Sequence, residues 1–147
     1  MNIFSKEMLM AGGEKVFVRP NLTSNGSSGD YFYVTASVDT SNAYRAVNGN
    51  SSNYWTCSGS NVEYLFSCKN ELNVTELKIT DTRRSVMIVG VYGRNSGGWN
   101  SITSTSSTSG NVITLSLSNT NYWKNYKIAF YGNGRITDID ITATEKG

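Results

Sequence analysis

Apolar side chains return at every second position in three runs near the C-terminus, and that spacing fits a strand with one buried face. In VITLSL (112–117) they are Ile113, Leu115 and Leu117; in YKIAFY (126–131), Tyr126, Ile128 and Phe130; in RITDIDITA (135–143), Ile139, Ile141 and Ala143. Shorter strand-like runs precede them: YFYVTASV (31–38), NYWTC (53–57), VEYLFS (62–67) and TELKIT (75–80), with Leu77 and Ile79 in phase. SVMIVGVY (85–92) is apolar on both parities and reads as a central strand covered on both faces. NAYRAV (42–47) is the one expected helical turn, and SITSTSSTSG (101–110) reads as a mobile loop. Between the runs lie turn formers, for Ser, Thr, Asn and Gly make up 66 of the 147 residues. About eight short strands with this punctuation predict an all-β sandwich or jelly roll.

Residues 1–29 differ from the rest. They hold three of the four Met and the one Pro, and they close on TSNGSSGD, a flexible linker composition. EKVFVRP suits a short edge strand, because Pro20 would interrupt a central one. The reading is an N-terminal arm and attachment segment over 1–29, followed by one domain over 30–147. MNIFSKEMLMAGG places Lys6 and Glu7 where a secretory signal needs an unbroken apolar stretch, so the expectation is a chain that stays in the cytoplasm or leaves by another route. No run approaches membrane-spanning length, which argues against membrane insertion.

Thirteen basic residues stand against eleven acidic ones, a formal charge of +2, and only Arg83 and Arg84 are adjacent. A charge field able to hold nucleic acid is therefore not expected. The chain has no histidine, which removes hydrolytic triads, imidazole bases and the common zinc sites. Cys57 and Cys68 are read as free thiols; their spacing does not imply a disulfide. Asp138 and Asp140 share one strand face, where two carboxylates are more often solvated side chains than a glycosidase pair. No catalytic residue is assigned.

One stretch demands explanation. In VYGRNSGGW (91–99) a strand empties into a glycine-rich loop that carries Arg94 and ends on Trp99. It falls in an ordered series: VTAS (34–37), AYRAVNGNSSNYW (43–55), VEYLF (62–66), ELKI (76–79), VGVYGRNSGGW (89–99), NYKIAF (125–130) and ITDIDI (136–141). Over about 115 residues this series resembles the discoidin, or F5/8 type C, family, whose galactose-binding-like jelly roll is shared with many carbohydrate-binding modules.

The resemblance carries several expectations. Gly93, Gly97 and Gly98 would supply backbone angles closed to residues with a Cβ, and Trp99 would fold back over the core edge. Trp55 and Tyr126 would be buried. NGNSSN (48–53) sits where many relatives bind a structural calcium, and Asn48, Asn50, Asn53 and Asp138 are the candidate ligands. Asn48 stands where an Asp is expected, and one carboxylate among neutral oxygens binds calcium weakly if at all; the alternative is that Asn48 and Gly49 only make the turn while Asp138 caps backbone donors.

A sugar site needs an aromatic face and a few fixed hydrogen-bonding groups. The loop candidates are Tyr44, Arg45, Tyr54, Arg94, Asn95, Tyr122 and Trp123. Trp123 has three open roles: ligand stacking, packing at the sandwich edge, and subunit contact. The expected function is a non-catalytic carbohydrate- or receptor-binding module that contacts a cell-surface glycan. Composition and the N-terminal arm suggest, by analogy with small bacteriophage virion proteins, a homo-oligomer on a particle surface, with the arm joined to other virion proteins. The alternative is a structural decoration or adaptor protein of the particle that uses the same jelly roll for protein contacts.

Overall fold

The computed structural model describes residues 14–147. Seven strands follow in order: β1 (Lys15–Val16), β2 (Phe32–Ala36), β3 (Trp55–Asp81), β4 (Val86–Arg94), β5 (Asn100–Ser109), β6 (Val112–Ser118) and β7 (Trp123–Glu145). A 3-10 helix, Thr40–Ala46, lies between β2 and β3. The hydrogen-bonded order is β1-β7-β4-β5-β6-β3-β2, and a further β7–β3 pairing closes it.

β3 and β7 are long because each serves both layers. Residues 55–67 of β3 pair with residues 125–136 of β7, and residues 72–81 pair with residues 136–145; the partner number falls as the β3 number rises, so the two run in opposite directions. The first half of β3 also pairs with β2, and the second half with β6. β5 joins the layers on the far side, pairing with β4 at Ile102 and with β6 from Thr103. The result is a β-sandwich of two layers sharing β3, β5 and β7.

The alternation read from sequence is what fills the interlayer space. Tyr126, Ile128 and Phe130 are fully buried, as are Leu77, Ile79 and Ile139; Leu115, Leu117, Ile141 and Ala143 are buried as well. Ile113 is half-buried and packs against this core. Trp55 is fully buried, with its ring 4.9 Å from Tyr64 and 5.7 Å from Phe130. Its Nε1 donates to the Val38 carbonyl at 2.9 Å. Phe66 and Tyr126 stack at 5.2 Å. The Tyr126 hydroxyl donates to the Leu72 carbonyl at 2.6 Å and accepts from Val74 N–H and from Asn119 Nδ2, so the polar end of a core ring is fully satisfied.

A second buried polar group shapes the opposite end. Asp81, 1 % exposed, accepts four backbone N–H groups: Arg83 and Arg135 on Oδ1, Ser85 and Val86 on Oδ2, all between 2.8 and 3.1 Å. One carboxylate thus fixes both the β3–β4 turn and the neighbouring bend of β7. Gly134 gives it room, since a Cβ there would lie 2.8 Å from Asp81 Oδ1.

Three expectations are corrected. SITSTSSTSG is β5 rather than a loop, because it pairs with a neighbour on both sides even though Ile102 is its one buried side chain. SVMIVGVY is not covered on both faces: Met87 is 66 % and Val89 60 % exposed. NYWTC, VEYLFS and TELKIT are parts of one continuous strand that crosses from layer to layer.

Of the segment read as an arm, residues 1–13 lie outside the described residues. Beyond them, Lys15 and Val16 pair with Glu145 and Thr144, and Phe17 is buried 6.0 Å from Phe32. Residues 15–17 thus join the sandwich by edge pairing and by a core side chain. No helix among the described residues is long and apolar enough to cross a membrane.

Candidate functional site

The register of the strands decides which loops meet. Arg94 opposes Asn125 and Phe32 opposes Cys68, while Ser67 also opposes Asn125. The ends of β2 and β4, the start of β7 and the mid-point of β3 therefore share one end of the sandwich. Trp55 opposes Ile136, which lies eleven residues farther along β7, up to roughly 35 Å of strand from Asn125.

At the first end, the glycine-rich loop is built from two different physical requirements. Gly97 has φ +78° and needs to be glycine; Gly93 and Gly98 have no positive φ, contrary to expectation. Gly93 is required for space instead. A Cβ there would lie 2.6 Å from Trp123 Cγ and 2.7 Å from its Nε1, because the indole rests directly on the strand. Trp123 is half-buried and packs against the core at the sandwich edge; its Nε1 is buried without a partner.

Trp99 does not cover the core edge. It is half-exposed, with the Arg94 guanidinium 4.2 Å from its ring centroid and Lys127 Nζ at 4.8 Å. Lys127 Nζ is also 4.8 Å from the Tyr92 ring and 3.1 Å from Glu63 Oε2. The ring quadrupoles hold these cations in place on the outer face of the sheet. The Arg94 guanidinium makes one hydrogen bond, Nη1 to the Gly97 carbonyl at 3.3 Å, and so keeps most of its donors for another acceptor.

Asn95 ties the two loops together. Its Nδ2 donates to the Tyr122 carbonyl at 3.2 Å and its Oδ1 accepts from Lys124 N–H at 2.8 Å. Asn125 Nδ2 donates back to the carbonyls of Arg94 and Asn95, and Asn125 Oδ1 accepts from Ser67 Oγ at 2.7 Å. Beside this bridge is an open concavity of about 230 Å³ lined by Asp30, Tyr33, Lys69, Lys124 and Asn125, with Ser28, Gly29 and Cys68. Tyr33 is half-buried; Asp30, Lys69 and Lys124 are exposed.

The structure therefore brings together Arg94, Asn95, Tyr122 and Trp123, and adds Tyr33, Asp30, Lys69, Lys124 and Asn125, which sequence reasoning did not single out. Their proximity comes from the pairing of β2 with β3 and of β3 with β7, which no local pattern reports. Tyr44, Arg45 and Tyr54 lie elsewhere. Tyr44 packs on the core from the 3-10 helix, with its N–H given to Asn25 Oδ1 at 2.9 Å. Arg45 is half-buried on the same helix with Nε lacking a partner. Tyr54 lies under the Arg135 guanidinium at 4.7 Å, next to Trp55.

The calcium implied by the resemblance does not suit the residues present. Asn48 Oδ1 already accepts from Asn50 N–H at 3.0 Å, Asn53 Oδ1 from Asn48 Nδ2 at 2.7 Å, and Asn50 Oδ1 from Ser52. Asp138, the one carboxylate of the set, is paired with Arg19 at 3.1 Å. Among the described residues no three Cys, Asp or Glu side chains gather as a metal site would need.

A larger cavity, about 500 Å³, lies by β1 and is lined by Lys15, Val18, Arg19, Pro20, Asn21, Tyr31 and Glu145. Several of its polar groups already have partners. Glu145, 3 % exposed, accepts from the Tyr31 hydroxyl at 3.0 Å and from Asn70 Nδ2 at 2.5 Å. Burial and that carboxylate push the Tyr31 phenol well above its ordinary pKa. In the smaller concavity the Lys69 and Lys124 ammonium groups are exposed beside the Tyr33 ring.

Burial also raises the thiols, Cys57 to about 12 and Cys68 further. Both are free. At neutral pH they are protonated and are not nucleophiles.

No family model matches the chain, and no curated protein matches it. Solved structures do. The CBM32 of AlyQ in complex with 4,5-unsaturated mannuronic acid is similar at TM-score 0.63 and 20 % identity, over 76 % of this chain and 95 % of that one. CpGH89CBM32-6 produced by Clostridium perfringens gives 0.64 and 18 %, over 78 % and 94 %. The family 32 CBM from C. perfringens NanJ in complex with galactose gives 0.57 and 14 %, over 78 % and 94 %. The architecture of this chain is the galactose-binding-like β-sandwich of these modules.

Proposed function

We propose that the chain is a non-catalytic carbohydrate-binding module whose sugar sits in the concavity between the Asp30 loop and Lys124–Asn125. The carrying observation is the convergence, at one end of the sandwich, of half-exposed aromatics with hydrogen-bonding groups already held by their neighbours. Tyr33 offers a ring to a sugar's C–H face, Asp30, Lys69 and Lys124 reach its hydroxyls, and Arg94 on Trp99 borders the site. Pre-bonded groups such as Asn95 and Asn125 lose little freedom on binding. The solved modules that share the fold add support, since two of them hold sugars.

The experiment is a glycan array with wild-type protein, Tyr33→Ala and Arg94→Ala. Binding that falls at least tenfold in both variants supports the site; undiminished binding in both places it elsewhere. The same module is further proposed to act on the surface of a bacteriophage particle, where it contacts host glycans. That setting rests on the Ser-, Thr- and Asn-rich jelly roll behind a Met-bearing N-terminal segment. Immunogold labelling of intact particles tests it. Labelled particles with no glycan bound on the array would favour the purely structural role.

A further inference from the structure

Arg19 joins three parts of the chain that are far apart in sequence. Its Nη1 donates to Asp138 Oδ1 at 3.1 Å and to the Ile139 carbonyl at 2.7 Å, both on β7. Its Nη2 donates to Asn21 Oδ1 at 3.0 Å. Asn21 in turn lies against the 48–53 loop: a Cβ on Gly49, whose φ is +73°, would fall 2.6 Å from Asn21 Nδ2. The adjacent Leu22 N–H donates to the Val47 carbonyl at 3.0 Å, closing the N-terminal segment onto that loop.

The three oxygens around Arg19 are a carboxylate, a backbone carbonyl and a side-chain amide, the kinds of oxygen a hard cation gathers. Here a guanidinium gathers them. Its side chain is 11 % exposed, against 41 % for Asp138, so the charge is shielded from water while its planar fork reaches several acceptors at once. The candidate metal ligands on the loop are meanwhile spent on one another, Asn48 with Asn50 and Asn53.

We propose that Arg19 is a built-in cation that clasps the N-terminal segment, the 48–53 loop and β7 together, in place of a metal ion at Asp138. Three consequences follow from this wiring. The fold is indifferent to calcium; Asp138 is charge-neutralised by the protein itself; and residues 19–22 are part of the domain's stability.

The test uses the full chain in thermal melts, in EDTA and in about 5 mM calcium, above the affinity range of weak calcium modules. Wild type, Arg19→Met, Asp138→Asn and the double variant are compared. Wild type melts at one temperature in both buffers. Arg19→Met melts at least about 4 °C lower, and the double variant melts no lower than the sum of the single shifts, falling short of it by the coupling of the pair. A rise in the wild-type melting temperature with calcium overturns the proposal, as does an Arg19→Met variant that melts with wild type. Should Arg19→Met not fold, Arg19→Lys replaces it: a point charge without the fork melts between wild type and Asp138→Asn on this account, and identity with wild type refutes it.

Discussion

Replacing Gly93 by Ala separates space from backbone angle as the reason for glycine. Gly93 has no positive φ, so alanine is conformationally allowed there. The new Cβ would stand 2.6 Å from Trp123 Cγ and 2.7 Å from Nε1, and closer still to Cδ1. Ordinary carbon contacts lie at about 3.5–4.0 Å, so the indole must retreat by roughly an ångström. Overpacking of this kind costs about 1–3 kcal/mol. Taking about 2 kcal/mol and a urea slope of about 2 kcal/mol/M, the denaturation midpoint falls by about 1 M. The retreat also drags Lys124, the next residue, away from Asn95 Oδ1, which its N–H reaches at 2.8 Å. Urea melts followed by circular dichroism give the stability, and tryptophan emission against a Trp123→Phe control gives the indole's environment. A Gly93→Ala protein with an unmoved midpoint and unchanged emission would refute the packing argument.

Two other perturbations test the buried groups. Cys57 has its pKa lifted by burial from 9.0 to about 12, so its folded form prefers the protonated thiol. That stability is fully present below pH 9 and is lost as pH rises toward 12; Cys68 acts in the same direction from pH 9, and Tyr126, lifted by burial from 10.0 to about 12, steepens the loss above pH 10. Urea midpoints at rising pH should fall in that window, less steeply in Cys57→Ala, and a flat profile to pH 11 contradicts the burial. Asp81→Ala takes a buried carboxylate away from four backbone N–H groups and should cost about 3 kcal/mol, read by chemical denaturation; a loss under about 1 kcal/mol would mean the two turns hold themselves.

How much was legible in the sequence depends on what each residue packs against. Tyr126, Ile128 and Phe130 alternate because one side of β7 faces the core, and that face is written in the chain. β5 has no such face. Its Ser and Thr side chains point to water on most positions, so only backbone pairing makes it a strand, and pairing leaves no periodic trace. β4 misleads in the reverse sense, since Met87 and Val89 are apolar without being covered. At the site, Arg94 and Asn95 stood out through their glycine-rich loop. Tyr33 did not, for it joins them through β3, where its partner is Ser67, 34 positions along the chain. Trp99 was expected over the core edge from the family resemblance alone; instead it lies half-exposed with two cations on its ring.

One end of the sandwich is proposed to hold a sugar. Amide chemical-shift mapping of the isotope-labelled chain, titrated with galactose and a panel of neutral and acidic oligosaccharides, addresses it residue by residue. Saturable shifts concentrated at Tyr33, Lys69, Asn95, Lys124 and Asn125 are expected for at least one sugar. Shifts gathered instead around Tyr44, Arg45 and Tyr54, or none across the panel, would contradict it.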